Sequence, residues 1–150
     1  MQTEFVTEKM EETKKLGKLL AQELCGGEVV CLSGELGAGK TTFTQGLLAG
    51  LGAEKPYTSP TFVVMKEYIL KNKKTKTKKQ LKKIYHFDAY RVCEKDFFVL
   101  GWEEIMADTG NISIIEWADK IKNIIPTRAI WIDFAWLDEK RRKINLQQKN

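Results

Sequence analysis

The residues with the most specific chemistry lie in a glycine-rich segment at positions 34–41. It reads Gly-Glu-Leu-Gly-Ala-Gly-Lys-Thr and matches the phosphate-binding pattern G-x-x-x-x-G-K-[ST] in full. Glycines let such a loop turn its backbone N–H groups toward one phosphate, and the following helix points its positive end at the same place. Lys40 is expected to reach the β- and γ-phosphates, and the Thr41 hydroxyl to bind Mg²⁺. The residues expected to contact the nucleotide here are Glu35, Leu36, Gly37, Ala38, Gly39, Lys40, Thr41 and Thr42.

Three acidic residues follow apolar runs and are candidates for the rest of the chemistry. A phosphate loop binds nucleotide, but hydrolysis or transfer also needs a carboxylate beside the magnesium ion. Sites in open α/β sheets lie beyond the carboxyl ends of strands, so an acid that ends an apolar run is favoured over one inside it. Asp133 is followed by further apolar residues and ranks last. We predict that Glu116 binds magnesium and that Asp88 is an outer-shell or water-positioning acid.

Four side chains near these positions leave alternatives open. His86 is the only histidine, and a lone histidine in a strand is more often a packing residue than a catalyst. Arg91 could pair with Asp88 or with a phosphate. Trp117 could lie against the nucleotide, present a surface to a partner, or pack in the core. Thr61 carries a hydroxyl suited to binding Mg²⁺ only when the γ-phosphate is present, although spacing alone supports this weakly.

Hydrophobic spacing predicts the elements that position these residues. An apolar run precedes the glycine-rich segment and helically spaced apolar residues follow it, which is typical of a strand, loop and helix in succession. The prediction is an α/β fold of the P-loop NTPase type, a three-layer sandwich with a mostly parallel central sheet and an inserted antiparallel β-hairpin. The predicted elements are helix 7–25, strand 28–33, helix 40–51, loop 56–61, hairpin strands 62–70 and 81–87, buried strand 111–115, a helix or turn before Pro126, and paired strands 129–135 and 142–146.

Composition bounds the class of protein. With 150 residues, of which 43% are hydrophobic, the chain suits a single domain over residues 1–150 that buries its own core. No apolar stretch approaches the length of a membrane span and the first residues do not resemble a secretion signal, so we expect a cytoplasmic location and no membrane partner. Cys25, Cys31 and Cys93 form no C-x-x-C pair, which favours ordinary thiols over a disulfide or zinc site.

The positive charge of the chain is concentrated in one segment. Residues 71–83 hold eight lysines and no acid, and removing those eight from the net charge of +5 leaves −3 for the rest. The segment is expected to be a lysine-rich hairpin tip. It is either a solvated surface or a direct contact to RNA phosphates.

The ordered set of motifs resembles the bacterial TsaE (YjeE) family. The matching segments are the glycine-rich residues 34–42, Ser-Pro-Thr-Phe at 59–62, His-Phe-Asp-Ala-Tyr-Arg at 86–91 and Glu-Trp at 116–117. The resemblance implies a magnesium-dependent ATPase subunit required for threonylcarbamoyladenosine modification of tRNA. Such a subunit acts with the TsaD–TsaB complex and does not itself perform the transfer, so tRNA is an indirect partner.

The resemblance also implies roles for particular residues. Thr41 and Glu116 would hold the magnesium ion, and Lys40 the phosphates of ATP. Thr61 would occupy a switch-like position, Asp88 an essential place near the nucleotide, and the tryptophan after Glu116 would belong to the same site. The lysine-rich tip departs from the family, since it is longer and more basic than the usual hairpin turn.

Two other classes of function share the phosphate loop. A small-molecule P-loop kinase also transfers a phosphoryl group, but apart from that loop the sequence shows no arginine-rich lid and no segment suited to an acceptor site. A nucleotide-gated binding module with negligible catalysis would use ATP only to hold the loop at 58–61 in one conformation.

Overall fold

The computed structural model of the chain describes residues 2–58, 60 and 63–148, so Thr61 and its neighbours Ser59 and Phe62 lie outside the described residues. Seven strands and four α-helices form the described part, together with one kinked 3₁₀ segment. In chain order they are β1 (Gln2–Thr7), α1 (Met10–Glu23), β2 (Val29–Gly34), α2 (Lys40–Gly50), β3 (Met65–Lys74), β4 (Gln80–Asp88), α3 (Glu94–Val99), α4 (Trp102–Ala107), β5 (Asn111–Glu116), the 3₁₀ segment (Ala118–Ile124), β6 (Ile130–Trp136) and β7 (Arg142–Gln148).

All seven strands form one sheet in the order β1-β7-β6-β2-β5-β4-β3. The four central strands, β6, β2, β5 and β4, are parallel to one another. Each side of this group continues into antiparallel pairs, β6 with β7 and β7 with β1 on one side, and β4 with β3 on the other. The α/β class is confirmed. The expected parallel arrangement holds for the four central strands, and antiparallel strands at both edges make the whole sheet mixed.

Helices cover both faces of the sheet. On one face α1 and α2 pack through residues such as Phe43 and Leu47. On the other face α3, α4 and the 3₁₀ segment pack through residues such as Phe97 and Trp102. Every residue of β5 is buried, as expected for a continuous apolar strand between two helical layers.

Glycines let α1 approach the helix that follows the phosphate loop. A Cβ atom on Gly17 would lie 2.3 Å from the carbonyl oxygen of Phe43, and one on Gly46 would lie 2.0 Å from that of Lys14. No side chain fits in such a contact, because both distances are far below van der Waals separation. The contact fixes the crossing of α1 and α2 near the middle of both helices.

Two predicted boundaries need correction, and two helices were missed. The predicted first helix begins at Met10 rather than at residue 7, because residues 2–7 pair with β7 as an edge strand. The lysine-rich segment 71–83 is not all hairpin tip, since β3 extends to Lys74 and β4 begins at Gln80. Only residues 75–79 form the turn. Helices α3 and α4 were not predicted, because six residues each are too few to show a helical period.

None of the helices in the described residues combines the length and apolar character needed to cross a membrane. The three cysteines are free, and burial raises the pKa of the Cys31 thiol.

Candidate nucleotide site

The glycine-rich loop connects the carboxyl end of β2 to the first residue of α2. Gly34, Gly37 and Gly39 have φ angles of 128°, 80° and 107°, in the region where a side chain is strained. Gly34 also pairs with Phe134 of β6, and a Cβ atom on Gly34 would lie 2.2 Å from the Phe134 carbonyl oxygen. The sequence pattern therefore reflects both the curvature of the loop and its close passage along β6.

Lys40 lies at the centre of this loop and is only 6% exposed. Its ammonium group donates hydrogen bonds to the carbonyl oxygens of Gly34 and Glu35, the latter at 2.9 Å. Burial lowers the pKa of Lys40, and nearby carboxylates oppose that shift. Those carboxylates are Glu116, Asp119, Asp88 and Glu35. Lys40 is thus a partly desolvated cation among several acids at the mouth of the loop.

The two predicted acids end neighbouring parallel strands. Glu116 is the last residue of β5, Asp88 is the last residue of β4, and the two are paired in register. Glu116 is also in register with Leu32 of β2, two residues before the loop begins. Their exposed fractions are 5% for Glu116 and 6% for Asp88. The register brings both carboxylates to the carboxyl ends of the parallel strands, where the glycine-rich loop leaves β2.

His86 is bonded to one of these acids. Its Nε2 lies 2.8 Å from Glu116 Oε2, and the two side chains are 4% and 6% exposed. Nδ1 of His86 is buried without a hydrogen-bond partner among the described residues. The side chain borders a cavity of about 10 Å³ beneath the first turn of α2, next to Tyr57 and Thr58. The structure places His86 neither in purely apolar packing nor on the main cleft. His86 is instead a hydrogen-bond partner of Glu116.

Trp117 has a backbone conformation that is unusual for a large side chain. Its φ of 60° is left-handed and turns the chain from β5 into the 3₁₀ segment. Lys40 Nζ lies 4.2 Å from the centre of the Trp117 ring. The centres of the Tyr90 and Trp117 rings are 4.9 Å apart. Lys120 Nζ lies 4.4 Å from the Tyr90 ring. Trp117 and Tyr90 are therefore two adjacent rings that lie between the Lys40 and Lys120 ammonium groups at the edge of the cleft.

One cleft of about 1540 Å³ joins these residues. The predicted residues that line it are Leu36, Gly37, Gly39, Lys40, Thr41, Thr42, Asp88, Glu116 and Trp117. Glu35 and Ala38 do not line it. The carbonyl of Glu35 is bonded to Lys40, and Ala38 is 1% exposed and packs in the core. The predicted magnesium ligand Thr61 lies outside the described residues.

Two further segments form walls of the cleft that sequence reasoning did not assign. The first is the beginning of α1, from Glu8 to Thr13, and the second is the turn between β6 and β7, from Asp138 to Arg142. Arg142 Nε donates to the carbonyl oxygen of Gly37 at 3.2 Å, so this turn is bonded to the glycine-rich loop. Both segments are polar and remote in sequence, and neither carries a motif that marks it.

The lower-ranked candidates lie elsewhere. Asp133 is in the middle of β6, accepts a hydrogen bond from the Ser33 hydroxyl, and does not line the cleft. Burial raises the pKa of Asp133, and the Asp119 carboxylate adds to that effect. Arg91 is exposed and is not among the residues that line the cleft.

The donor atoms that face the cleft suit a hard divalent cation. Thr41 supplies a hydroxyl at the start of α2, and Glu116 and Asp88 supply carboxylates. One oxygen of Glu116 is bonded to His86 and one oxygen of Asp88 accepts from the Tyr90 N–H at 2.9 Å, which leaves the second oxygen of each acid. Oxygen donors of this kind, few in number and beside a phosphate site, fit Mg²⁺.

Fold and site together define an α/β protein in which a glycine-rich loop and two strand-end carboxylates share one cleft. The chain belongs to the TsaE family: the family model described as threonylcarbamoyl adenosine biosynthesis protein TsaE matches residues 7–144. This confirms the family that the ordered motifs resemble.

Individual relatives agree with this assignment. The tRNA threonylcarbamoyladenosine biosynthesis protein TsaE of Rickettsia felis is 38% identical over 134 residues, covering 88% of this chain and 72% of the relative. The protein of the same name from Aquifex aeolicus is 37% identical over 148 residues, covering 97% and 96% of the two chains. The crystal structure of Bacillus subtilis YdiB superimposes with a TM-score of 0.76 at 29% identity, covering 100% of this chain and 87% of that one.

Proposed function

We propose that this chain is a magnesium-dependent ATPase subunit required for the threonylcarbamoyladenosine modification of tRNA. In this proposal it acts with a TsaD–TsaB-type complex in the cytoplasm and does not itself perform the transfer. The fold is correspondingly a P-loop NTPase-like three-layer sandwich with an antiparallel β-hairpin. The observation that carries the proposal is the register of Asp88 and Glu116 at the edge where the glycine-rich loop leaves β2.

The loop and Lys40 account for nucleotide binding. Backbone N–H groups between Gly34 and Thr41 would surround the phosphates, with the beginning of α2 behind them. Lys40 is already buried there, so its ammonium needs to move only from the loop carbonyls to the phosphate oxygens. The rest of the cleft, between the beginning of α1 and the β6–β7 turn, gives the base and sugar room to lie.

The acids account for hydrolysis. Thr41 and Glu116 would hold Mg²⁺, which supplies charge neutralisation on the phosphates when bound. His86 holds one oxygen of Glu116 in place, so the other is presented to the cleft. Asp88 is held by the Tyr90 N–H and would act in the outer shell or orient the attacking water. Thr61 remains a predicted ligand that responds to the γ-phosphate.

Trp117 closes one side of this arrangement. Its ring covers Lys40 and separates the ammonium from solvent on that side. Low exposure of Lys40, Asp88 and Glu116 strengthens the electrostatic interactions among them and with bound phosphate. The site is therefore suited to stabilising charge on a transferred phosphoryl group.

The site assignment is tested by ATP hydrolysis in the isolated protein. We expect slow, magnesium-dependent turnover, reduced about 100-fold or more in Lys40→Ala and in Glu116→Ala, because each loses a charge that contacts the reacting phosphate or its metal. Lys71→Ala is the matched control, since it removes an exposed lysine from the other end of the sheet and should keep wild-type turnover. Unchanged hydrolysis in both cleft variants would show that the site is misassigned.

The functional assignment is tested by reconstituting tRNA modification with TsaD and TsaB, with and without this chain. We expect repeated rounds of modification only when the wild-type chain and ATP are both present. Modification through many turnovers without the chain would contradict the function while leaving the nucleotide site intact. If the Lys40→Ala variant supports tRNA modification at the wild-type level, the result would instead favour a role that does not depend on nucleotide.

A further inference from the structure

The lysine-rich hairpin lies at the end of the sheet opposite the cleft. Strand β4 ends at the cleft with Asp88 and begins at Gln80 beside the hairpin turn. Nine residues of strand span about 26 Å at roughly 3.3 Å per residue. Lysines at the turn are therefore too far from the phosphate loop to serve the nucleotide, and their role has to be sought elsewhere.

Three of the lysines attach the hairpin to the body of the protein, and a fourth, Lys83, links the two strands of the hairpin to each other. Lys73 donates to the Gly50 carbonyl at the end of α2, at 3.2 Å, and Lys76 pairs with Glu23 at the end of α1, at 2.5 Å. Neither helix has a basic residue in its own last turn, so the hairpin supplies positive charge to both carboxyl ends. Lys82 pairs with Asp108 at 3.4 Å and Lys83 with Glu67 at 2.7 Å.

Three other lysines have no such role. Lys71, Lys74 and Lys78 are exposed, and within the part of the chain that the structure describes they make no hydrogen bond or ion pair through their side chains. We call these three the outward lysines. Their scaffold is ordered, because Thr75 N donates to Lys79 O and Lys78 N donates to Thr75 O, each at 2.9 Å. Lys71 and Lys74 thus extend from the end of β3, and Lys78 extends from the hydrogen-bonded turn that follows it.

We propose that the outward lysines form a surface that binds the phosphate backbone of RNA without reading its bases. Lysine is a mobile point charge suited to following phosphates, whereas base reading relies on bidentate arginine or on aromatic stacking. Residues 71–83 contain neither arginine nor an aromatic side chain. This surface rests on the proposed function, which brings the chain to tRNA.

The same lysines have a competing structural explanation. Strand β3 is the edge of the sheet, and charged residues on an edge strand protect it from pairing with another chain. That explanation does not require Lys78, which lies in the turn and not on the edge strand.

Placement of the surface has a consequence for assembly. Because the outward lysines and the cleft lie at opposite ends of β3 and β4, RNA bound at the hairpin leaves the nucleotide site accessible. The chain can therefore hold RNA and turn over ATP at the same time.

The test measures binding of the full-length chain to a fluorescein-labelled unmodified tRNA transcript by anisotropy, at several KCl concentrations. Changing all three outward lysines to glutamine should raise the Kd about tenfold or more and reduce the slope of log K against log salt by about 2 to 3. Changing them to arginine should preserve the affinity, because the positive charges remain.

A matched triple variant controls for total charge. Lys76→Gln, Lys82→Gln and Lys83→Gln remove the same charge from lysines already paired with acids, and should weaken binding much less. Equal losses in the two glutamine triples, or no binding by the wild type, would overturn the proposal. An outward glutamine triple that aggregates but binds tRNA normally would also overturn the proposal. That outcome would show that the lysines protect the edge strand instead. Binding to phosphatidylglycerol vesicles is measured in parallel. An outward triple that loses vesicle binding but keeps tRNA binding would also overturn the proposal.

Failure of this proposal can be told apart from failure of the proposed function. The outward triple should hydrolyse ATP at the wild-type rate, since none of the three residues lines the cleft. If tRNA binding is absent while modification still depends on the chain, only the RNA surface is wrong. If the outward triple loses tRNA binding as expected while modification proceeds without the chain, the surface stands and the functional assignment falls.

Discussion

The two ends of the central sheet use charge in opposite ways. At the carboxyl end of the parallel strands, Lys40, Asp88 and Glu116 are each no more than 6% exposed and lie close together. At the amino end, lysines of the hairpin are exposed and pair with acids on the surface. A buried charge interacts strongly with its neighbours, whereas an exposed one is screened by water and salt. The charged residues of the sequence do not by themselves distinguish the two ends of the sheet. The burial of their side chains does.

The pKa shifts of individual lysines show the same contrast. Burial lowers the pKa of Lys40, despite the acids around it. The hydrogen bond that Lys76 donates to Glu23 raises the pKa of Lys76, and the one that Lys83 donates to Glu67 raises the pKa of Lys83. Burial thus disfavours the charged form of the lysine in the cleft, whereas carboxylate partners favour the charged form of the two hairpin lysines. Substitutions at the two ends should differ accordingly in their cost.

The largest effect is expected from Gly34→Ala at the cleft. Its new methyl group would collide with the Phe134 carbonyl oxygen, at 2.2 Å, and its φ of 128° is unfavourable for alanine. The free energy of unfolding should fall by about 2–4 kcal/mol. Gly37→Ala is the matched control, because Gly37 has a φ of 80° but nothing within 4 Å of the added atom. It should lose only about 1–2 kcal/mol.

Urea denaturation followed by circular dichroism measures both glycine variants. Equal losses of stability would show that backbone strain alone, and not the passage of the loop along β6, explains the first glycine of the motif.

An intermediate effect is expected from His86. In His86→Leu the Glu116 carboxylate loses its buried partner, so kcat for ATP hydrolysis should fall about tenfold to a hundredfold with little change in KM. His86→Gln places an amide N–H where Nε2 lies, and should retain most of the activity. A merely space-filling histidine would give the opposite order, since leucine fills an apolar site better than glutamine.

Steady-state kinetics at saturating magnesium tests the histidine pair. A rise in KM without a fall in kcat in His86→Leu would place the residue in nucleotide binding rather than in the orientation of Glu116.

The smallest effect is expected from the hairpin. Replacing residues 72–80 with an Asn-Gly turn removes the Lys76–Glu23 pair and the Lys73–Gly50 hydrogen bond, both at the surface. Melting temperature should change by only about 3 °C or less, and the Kd for ATP should not change. A large loss of melting temperature would show that the hairpin is part of the folding core. Such a result would remove the contrast between the two ends.

The sequence predicted the site best where chemistry and position are both local. Glycines and a lysine at fixed spacing specify a loop by themselves, and the abrupt end of an apolar run placed Glu116 at a strand end. It failed where a residue gains its role from a distant partner. The bond between His86 and Glu116 depends on the pairing of β4 with β5, and Arg142 reaches Gly37 only because β7 returns alongside β6.

One edge of the sheet was hard to predict for a related reason. Strand β1 has mostly exposed or half-buried residues, so it lacks the alternating pattern that marks a half-buried strand. Its strand conformation is stabilised by pairing with β7, which lies about 140 residues later in the sequence. The antiparallel pairs β3–β4 and β6–β7 were predicted, in contrast, because a polar turn joins the two strands of each pair.

The stack of Lys40 on Trp117 gives the protein an optical reporter of its own site. Indole emission is sensitive to a cation held over its ring, and Lys40 Nζ lies 4.2 Å from the centre of the Trp117 ring. A ligand that draws the ammonium away from the ring will change the fluorescence of this tryptophan without any attached dye. The proposed binding of nucleotide can thus be followed by fluorescence in the unlabelled chain, with Trp117→Phe separating its signal from the other three tryptophans.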